Sequence, residues 1–271
     1  MLLFGVGDVI YKRASSVGIL PHRLMMLQSW FFLATAVVYG LITGTLHFTP
    51  ASLWGLCVGL FAWFGFYNFA RSLRGGAVST CAPIFRMSFI ITAGLAILLL
   101  HEPASPLKLL GMAMAVAAVF LLVGNPAGSA ASVDGKSLLL VAIATVSMGV
   151  ASLFYKFGLH DGASPASMMV PQAIVVVTCS TAVCLTIDRG WRLSGPVLYV
   201  APVAAVVLAS AFIAMVEGLA RADASSVVPV AQMGMAVSAI AGFVVLGERP
   251  TTGKVAGLAV AIAALACFAF G

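Results

Sequence analysis

The sequence predicts an all-α membrane fold of ten transmembrane helices arranged as two inverted five-helix repeats, and three observations lead to it. Apolar stretches of about 18 to 24 residues recur along the whole chain, the length that a hydrocarbon core of about 30 Å demands of a helix. Only 8% of the 271 residues are charged and 62% are hydrophobic, with a mean hydropathy of +1.13, whereas a water-soluble domain carries roughly 25% charge. The second half of the chain also repeats the first. Strict apolar–polar alternation, the mark of an outer-membrane barrel, is missing from segments such as 138–157, so helices remain to satisfy the backbone in lipid.

Short clusters of Gly, Pro, Ser and charge delimit the spans in turn. The first, 2–17, stops at Gly18; the second, 24–44, follows Pro21–Arg23; the third, 52–70, follows Pro50 and stops at Arg71. The fourth, 78–100, lies between Arg74–Gly76 and His101–Pro103, and the fifth, 107–124, runs from Pro106 to Asn125–Pro126. In the second half the spans are 138–157, 166–187, 196–218, 225–247 and 254–270, bounded by Lys136, Pro165, Asp188–Gly190, Gly195–Pro196, Glu217–Arg221 and Gly247–Pro250. The expected domains are therefore 1–124 and 138–271, joined by a Gly-, Ala- and Ser-rich linker at 125–137.

Offset by 144 residues, Gly5, Val6, Tyr11, Lys12, Gly18, Pro21, Met25 and Gln28 meet identical residues in the second half. From Arg71 onward the offset is 146, and Pro83/Pro229, Met87/Met233, Glu102/Glu248, Lys108/Lys254 and Gly111/Gly257 coincide. Chance matches Ala to Ala in so apolar a chain, but not Tyr-Lys, Gln, Pro, Glu and Lys in order. Five spans per copy send the second copy into the membrane from the opposite side, the symmetry on which alternating access around a midplane site is built. The mate of the sixth span would begin some six residues before Met1, so the first helix is expected either to lack residues at its start or to be tilted and short.

Five-span halves with a lysine near the end of the first span, a proline in the fourth, LLLHEP (98–103) and VLGERP (245–250) after it, and a Gly-opened last span resemble the drug/metabolite transporter superfamily, in its ten-span EamA-type family. The resemblance implies a secondary transporter, an exporter or exchanger of small metabolites such as amino acids, in the cell (inner) membrane. Small multidrug-resistance relatives keep a carboxylate two turns before the lysine; here Phe4 stands in that place and Asp8 lies one turn before Lys12, so proton coupling does not carry over directly. A lipid-linked carrier or flippase of the same superfamily is the alternative, and a membrane-embedded enzyme a more distant one.

Arg86 lies about 12 Å into its span at 1.5 Å per residue, near the midplane, where a charge costs at least about 2.5 kcal/mol and must face a cavity or a partner. Its mate is Gln232, and both follow a proline, Pro83 or Pro229, by three residues, where a loosened helix frees a carbonyl. Arg86 either lines the substrate cavity, holding a carboxylate or phosphate in its fork, or pairs structurally with an acid from another helix. Gln28 and Gln172 serve as helix glue or ligand contacts, and Trp63 and Asn68 supply a wall of the site. Asp8 and Lys12 lie one turn apart, as an internal pair or a coupling pair, with Pro83 and Pro229 as points of flexing. Glu102 and Glu248 are expected to structure the turn into the next span, Lys12 and Lys156 to snorkel to the interface, and Glu217 and Arg221 to pair along one helix.

The four histidines are scattered at span ends, the five cysteines sit in apolar runs without CxxC spacing, and no GxSxG, HExxH or phosphate loop occurs. No catalytic residue, metal or cofactor is therefore expected; the expected partners are a small-molecule substrate and the lipid bilayer, with no nucleic acid, as monomer or homodimer. Without a nucleotide motif, energy must come from a gradient or exchange, and protons are one candidate. The N-terminal stretch lacks a basic signal region and runs straight into a span. Ten Lys and Arg in the loops after odd-numbered spans oppose three on the other side, which places the termini outside the cytoplasm, whereas the resemblance implies the inside.

Overall fold

The computed structural model describes residues 1–72, 81, 84–123, 135–188, 195–234, 236–237, 240 and 252–270. Ten α-helices succeed one another among them: α1 (Leu2–Ser16), α2 (Pro21–Ile42), α3 (Trp54–Ser72), α4 (Ser88–Leu99), α5 (Pro106–Val123), α6 (Gly135–His160), α7 (Pro165–Asp188), α8 (Gly195–Arg221), α9 (Ala224–Gln232) and α10 (Thr252–Phe270). A 3-10 turn, Pro50–Leu53, leads into α3. Five helical segments are long and apolar enough to cross a bilayer, within α2, α3 with its leading turn, α6, α7 and α8. Shorter apolar segments lie at Leu2–Tyr11, Ile84–Leu99, Pro106–Leu121 and Val255–Phe268.

Helix ends depart from the apolar windows, because backbone hydrogen bonding continues past the hydrocarbon until a breaker stops it. The helix α6 takes residues 135–137 of the expected linker into its first turn, and a tight turn at Gly162 (φ 91°) closes its far end. Linker residues 125–134 and most of the ninth span beyond Val237 lie outside the described residues. The first helix has 15 described residues against 26 in its mate α6.

Repeat mates pack against each other head to tail. At the start of α2, Arg23 reaches Asp188 at the end of α7, while near the end of α2 a Cβ on Gly40 would lie 2.9 Å from that of Ala166 at the start of α7. In the same way Gly111, early in α5, lies against Cys267 and Phe268, late in α10. The Gly and Ala runs of α5 and α10 thus let these two helices pack closely. Antiparallel mates fix the operation relating the halves as a two-fold axis perpendicular to the helices.

Among the described residues the most extensive interhelical contacts all cross between halves: α3 with α6 and α7, α2 with α7 and α8, α5 with α10, α4 with α6 and α9, and α1 with α8. Their core is built on the fully buried Phe89, Tyr155, Met168, Met169, Leu219 and Met233. Within each half the first two helices are tied identically, Tyr11 donating to the Gln28 carbonyl and Tyr155 to that of Gln172.

Candidate functional site

Among the described residues one local irregularity falls at the same place in both halves. Met87, just before α4, and Met233, just after α9, are repeat mates with nearly the same backbone, φ −68° and ψ 0° against φ −66° and ψ 0°. Around them the α-helical ladder tightens to three-residue steps: Met87 N–H donates to Ile84 O (3.1 Å), Ile90 N–H to Met87 O (2.9 Å) and Ala236 N–H to Met233 O (2.9 Å). In the second half Pro229, one turn upstream, has no N–H to give the ladder. Its mate Pro83 lies outside the described residues.

Arg86 and Gln232 immediately precede these breaks, and they meet: Arg86 Nη1 donates to Gln232 Oε1 at 3.1 Å, both side chains half-buried. A residue touches its own mate only beside the symmetry axis, so this contact locates the axis in the interior between α4 and α9. Two other helices close on the same point. A Cβ on Gly5 would lie 2.5 Å from Gly234 O and 2.5 Å from Val237 Cβ; one on its mate Gly149 would lie 2.5 Å from Ile91 Cβ and 2.9 Å from Ser88 O. Only glycine lets α1 and α6 approach this closely. Two threonines bind the crossing on the α6 side, Thr92 Oγ1 donating to Gly149 O (3.1 Å) and Thr145 Oγ1 to Ile84 O (3.0 Å). Ile84 O thus accepts both Met87 N–H and the Thr145 hydroxyl, which is shared with Val141 O of its own helix (2.8 Å).

The remaining predicted residues spread around this centre. Gln172 is buried and Gln28 partly so, each with its carbonyl taken by the tyrosine of the neighbouring helix. Trp63 stacks on Tyr67 (5.2 Å between centroids, 11°), over which Arg71 lies at 5.6 Å, a run along α3 toward its end. Asn68 is buried and donates to Phe64 O of its own helix at 2.8 Å. A different face of α3, with Phe66 and Phe69, meets Phe85 beside Arg86. Asp8 and Lys12 belong to α1, but their side chains lie outside the described residues; Ser152, the mate of Asp8, donates to Met148 O.

Several polar clusters were invisible to the sequence. At one end of the bundle Asp188 accepts Arg23 Nε (2.7 Å) and Nη2 (3.2 Å), faces His22 Nε2 at 3.1 Å and receives Cys184 Sγ at 3.8 Å. His22, Cys184 and Asp188 converge as metal ligands would, but the Arg23 guanidinium already neutralises the carboxylate they share. At the other end Arg221 pairs with Glu217 (2.6 Å) as the spacing predicts, and Tyr39 of α2 also donates to that carboxylate. Lys156 does more than snorkel: its ammonium holds Leu219 O (3.0 Å) and Ala222 O (2.6 Å) at the end of α8. Glu102 takes the backbone N–H of Ala224 (2.8 Å) and Ser225 (2.9 Å) at the start of α9, in the opposite half from the turn it was expected to structure. Two cavities open at this end, about 470 Å³ beside Glu102, Lys156 and Asp223, and about 460 Å³ beside Trp54 and Asp161.

A family model described as the EamA-like transporter family matches residues 1–124 and 135–270. A solved crystal structure, titled only as that of a protein, shares the fold at 18% identity, with a TM-score of 0.81 over 98% of this chain and 92% of that one. The comparison with curated proteins gives no match.

Proposed function

We propose, from the premise that this chain belongs to the EamA-like transporter family and is thus a multi-pass membrane transporter, that it is a ten-span secondary exporter or exchanger of small carboxylate-bearing metabolites such as amino acids in the cell (inner) membrane. The observation that carries the reading is the Arg86–Gln232 contact between repeat mates. The two-fold axis of inverted repeats lies in the membrane plane, so a contact on it sits at the midplane, equally distant from both surfaces. Arg86 offers a carboxylate its forked donors, and Gln232 offers a donor and an acceptor. The breaks at Met87 and Met233, four residues after Pro83 and Pro229 in the sequence, are where the two helices flex as access alternates.

In this reading Gln28 and Gln172 turn their amide groups to the substrate while their carbonyls stay with Tyr11 and Tyr155, and Trp63 and Asn68 complete one wall. Asp8 and Lys12, one turn apart in the sequence of α1, are the coupling pair of this reading. The test is counterflow in proteoliposomes against radiolabelled amino acids, organic acids, sugars, nucleosides and cationic drugs. Arg86→Ala is expected to lower transport of the active compound by tenfold or more, since a hydrogen bond to a charged group is worth about 1.5–3 kcal/mol, while the protein still elutes as a monodisperse species. Undiminished transport removes Arg86 from the site.

A further inference from the structure

The turn between α8 and α9 is held in an unusual way. Asp223 stands at the N-cap position of α9 with extended backbone (φ −65°, ψ 139°), where an aspartate ordinarily caps the helix itself, yet it makes no capping hydrogen bond. Its carboxylate goes to Lys108 Nζ of α5 at 2.6 Å, and Lys108 is 5% exposed. The capping is done from a distance by Glu102, 8% exposed, each oxygen taking one of the first N–H groups of α9. On the other side of the turn, Lys156 of α6 takes two carbonyls at the end of α8. A local cap stabilises a helix wherever the helix lies; a remote cap also dictates where it lies. The carboxylate at the positive end of α9 and the ammonium at the negative end of α8 both match the helix dipoles.

The repeat singles out the same residues. In the two aligned stretches the charged residues identical between halves are Lys12/Lys156, Glu102/Glu248 and Lys108/Lys254, and Lys156, Glu102 and Lys108 are the three side chains that hold this turn. Gln232 lies eight residues along α9 from Ala224, about 12 Å at 1.5 Å per residue. We propose that Glu102 and Lys156 are positioning residues for the central site: by clamping the α8–α9 turn they set the height of α9 and so bring Gln232 against Arg86. This rests on the Arg86–Gln232 reading of the site.

The test is geometric and independent of transport. In a full-length background with the five native cysteines replaced by serine, Arg86→Cys and Gln232→Cys are cross-linked with a short bismaleimide. Trp30→Cys and Thr181→Cys, an α2–α7 pair whose native side chains meet at 3.3 Å, serve as control. Glu102→Gln leaves one backbone N–H without an acceptor, which shifts a two-state helix position by about tenfold. The expected result is cross-linking of 86 to 232 slowed by about that factor, restored largely by Glu102→Asp, with the control pair unaffected and Lys156→Met acting like Glu102→Gln. An unchanged 86–232 rate, or a parallel fall in both pairs, overturns the proposal. Since no substrate is needed, its failure is separate from any failure of Arg86→Ala to abolish transport.

Discussion

Replacing Gly149 with alanine tests the helix crossing on which the candidate site is built. The new methyl would stand 2.5 Å from Ile91 Cβ and 2.9 Å from Ser88 O, against the 3.5–4.0 Å at which carbon atoms rest. Ser88 O is backbone and cannot swing aside, so α6 must retreat from α4 by about an ångström, which overpacking measurements put at about 1–3 kcal/mol. Alanine also favours a helix over glycine, and a control removes that gain: Gly94 sits inside α4, and a Cβ there meets nothing within 4 Å. The difference between Gly149→Ala and Gly94→Ala therefore isolates the contact, and Gly149→Ala should be the less stable by about 1–3 kcal/mol. Reversible unfolding in mixed micelles by dodecyl sulfate, followed through tryptophan fluorescence, measures both variants. A difference below about 0.5 kcal/mol, within the ordinary range of surface substitutions, would refute the close crossing. Gly5→Ala, against Gly234 O and Val237, should behave alike.

Two further substitutions probe the ties between helices. Tyr155→Phe strands the Gln172 carbonyl at a site where the tyrosine is 1% exposed, and should cost about 1–3 kcal/mol in the same unfolding assay; Tyr11→Phe, at a position where both Tyr11 and Gln28 are only partly buried, should cost less. Equal costs would contradict the difference in burial between the halves. Asp188→Asn removes the negative charge and one of the two acceptor oxygens that gather Arg23 and His22 at one end of α2 and α7, so Cys184, 2% exposed behind it, should alkylate with maleimide faster than in the parent; an unaltered rate would show that the cluster does not seal that end.

Much of the architecture could be read from residue order, because a repeat prints the same polar residues twice. Tyr11 and Gln28 recur as Tyr155 and Gln172, and each pair turns out to be bonded. Arg86 and Gln232 were found as mates by alignment, and their meeting follows from the axis between them. What could not be read shares one physical cause: the partners are backbone groups or lie far along the chain. The N–H groups that Glu102 accepts, 122 and 123 residues away, carry no side-chain signature, and neither do the carbonyls held by Lys156. The Asp188 cluster joins residues 165 and 166 positions apart from two apolar helices, with no local spacing to betray it. The helix breaks fall at Met87 and Met233, four positions beyond Pro83 and Pro229 in the sequence, a displacement that the proline positions alone do not carry.

The crossing of nearly every large contact from one half to the other sets an order for biogenesis. As residues 1–124 leave the ribosome, α2 has neither α7 nor α8, α3 lacks α6 and α5 lacks α10. Each of these helices must therefore wait in the bilayer, stable singly as apolar helices are but without its tertiary neighbours. At about 5–20 residues per second the wait lasts on the order of ten seconds. During it the faces that will become the buried core, with Phe89, Val119 and Ala118 among them, are covered by lipid alone. Assembly is then a zipping of the late half into the early one, completed only when α10 arrives against α5.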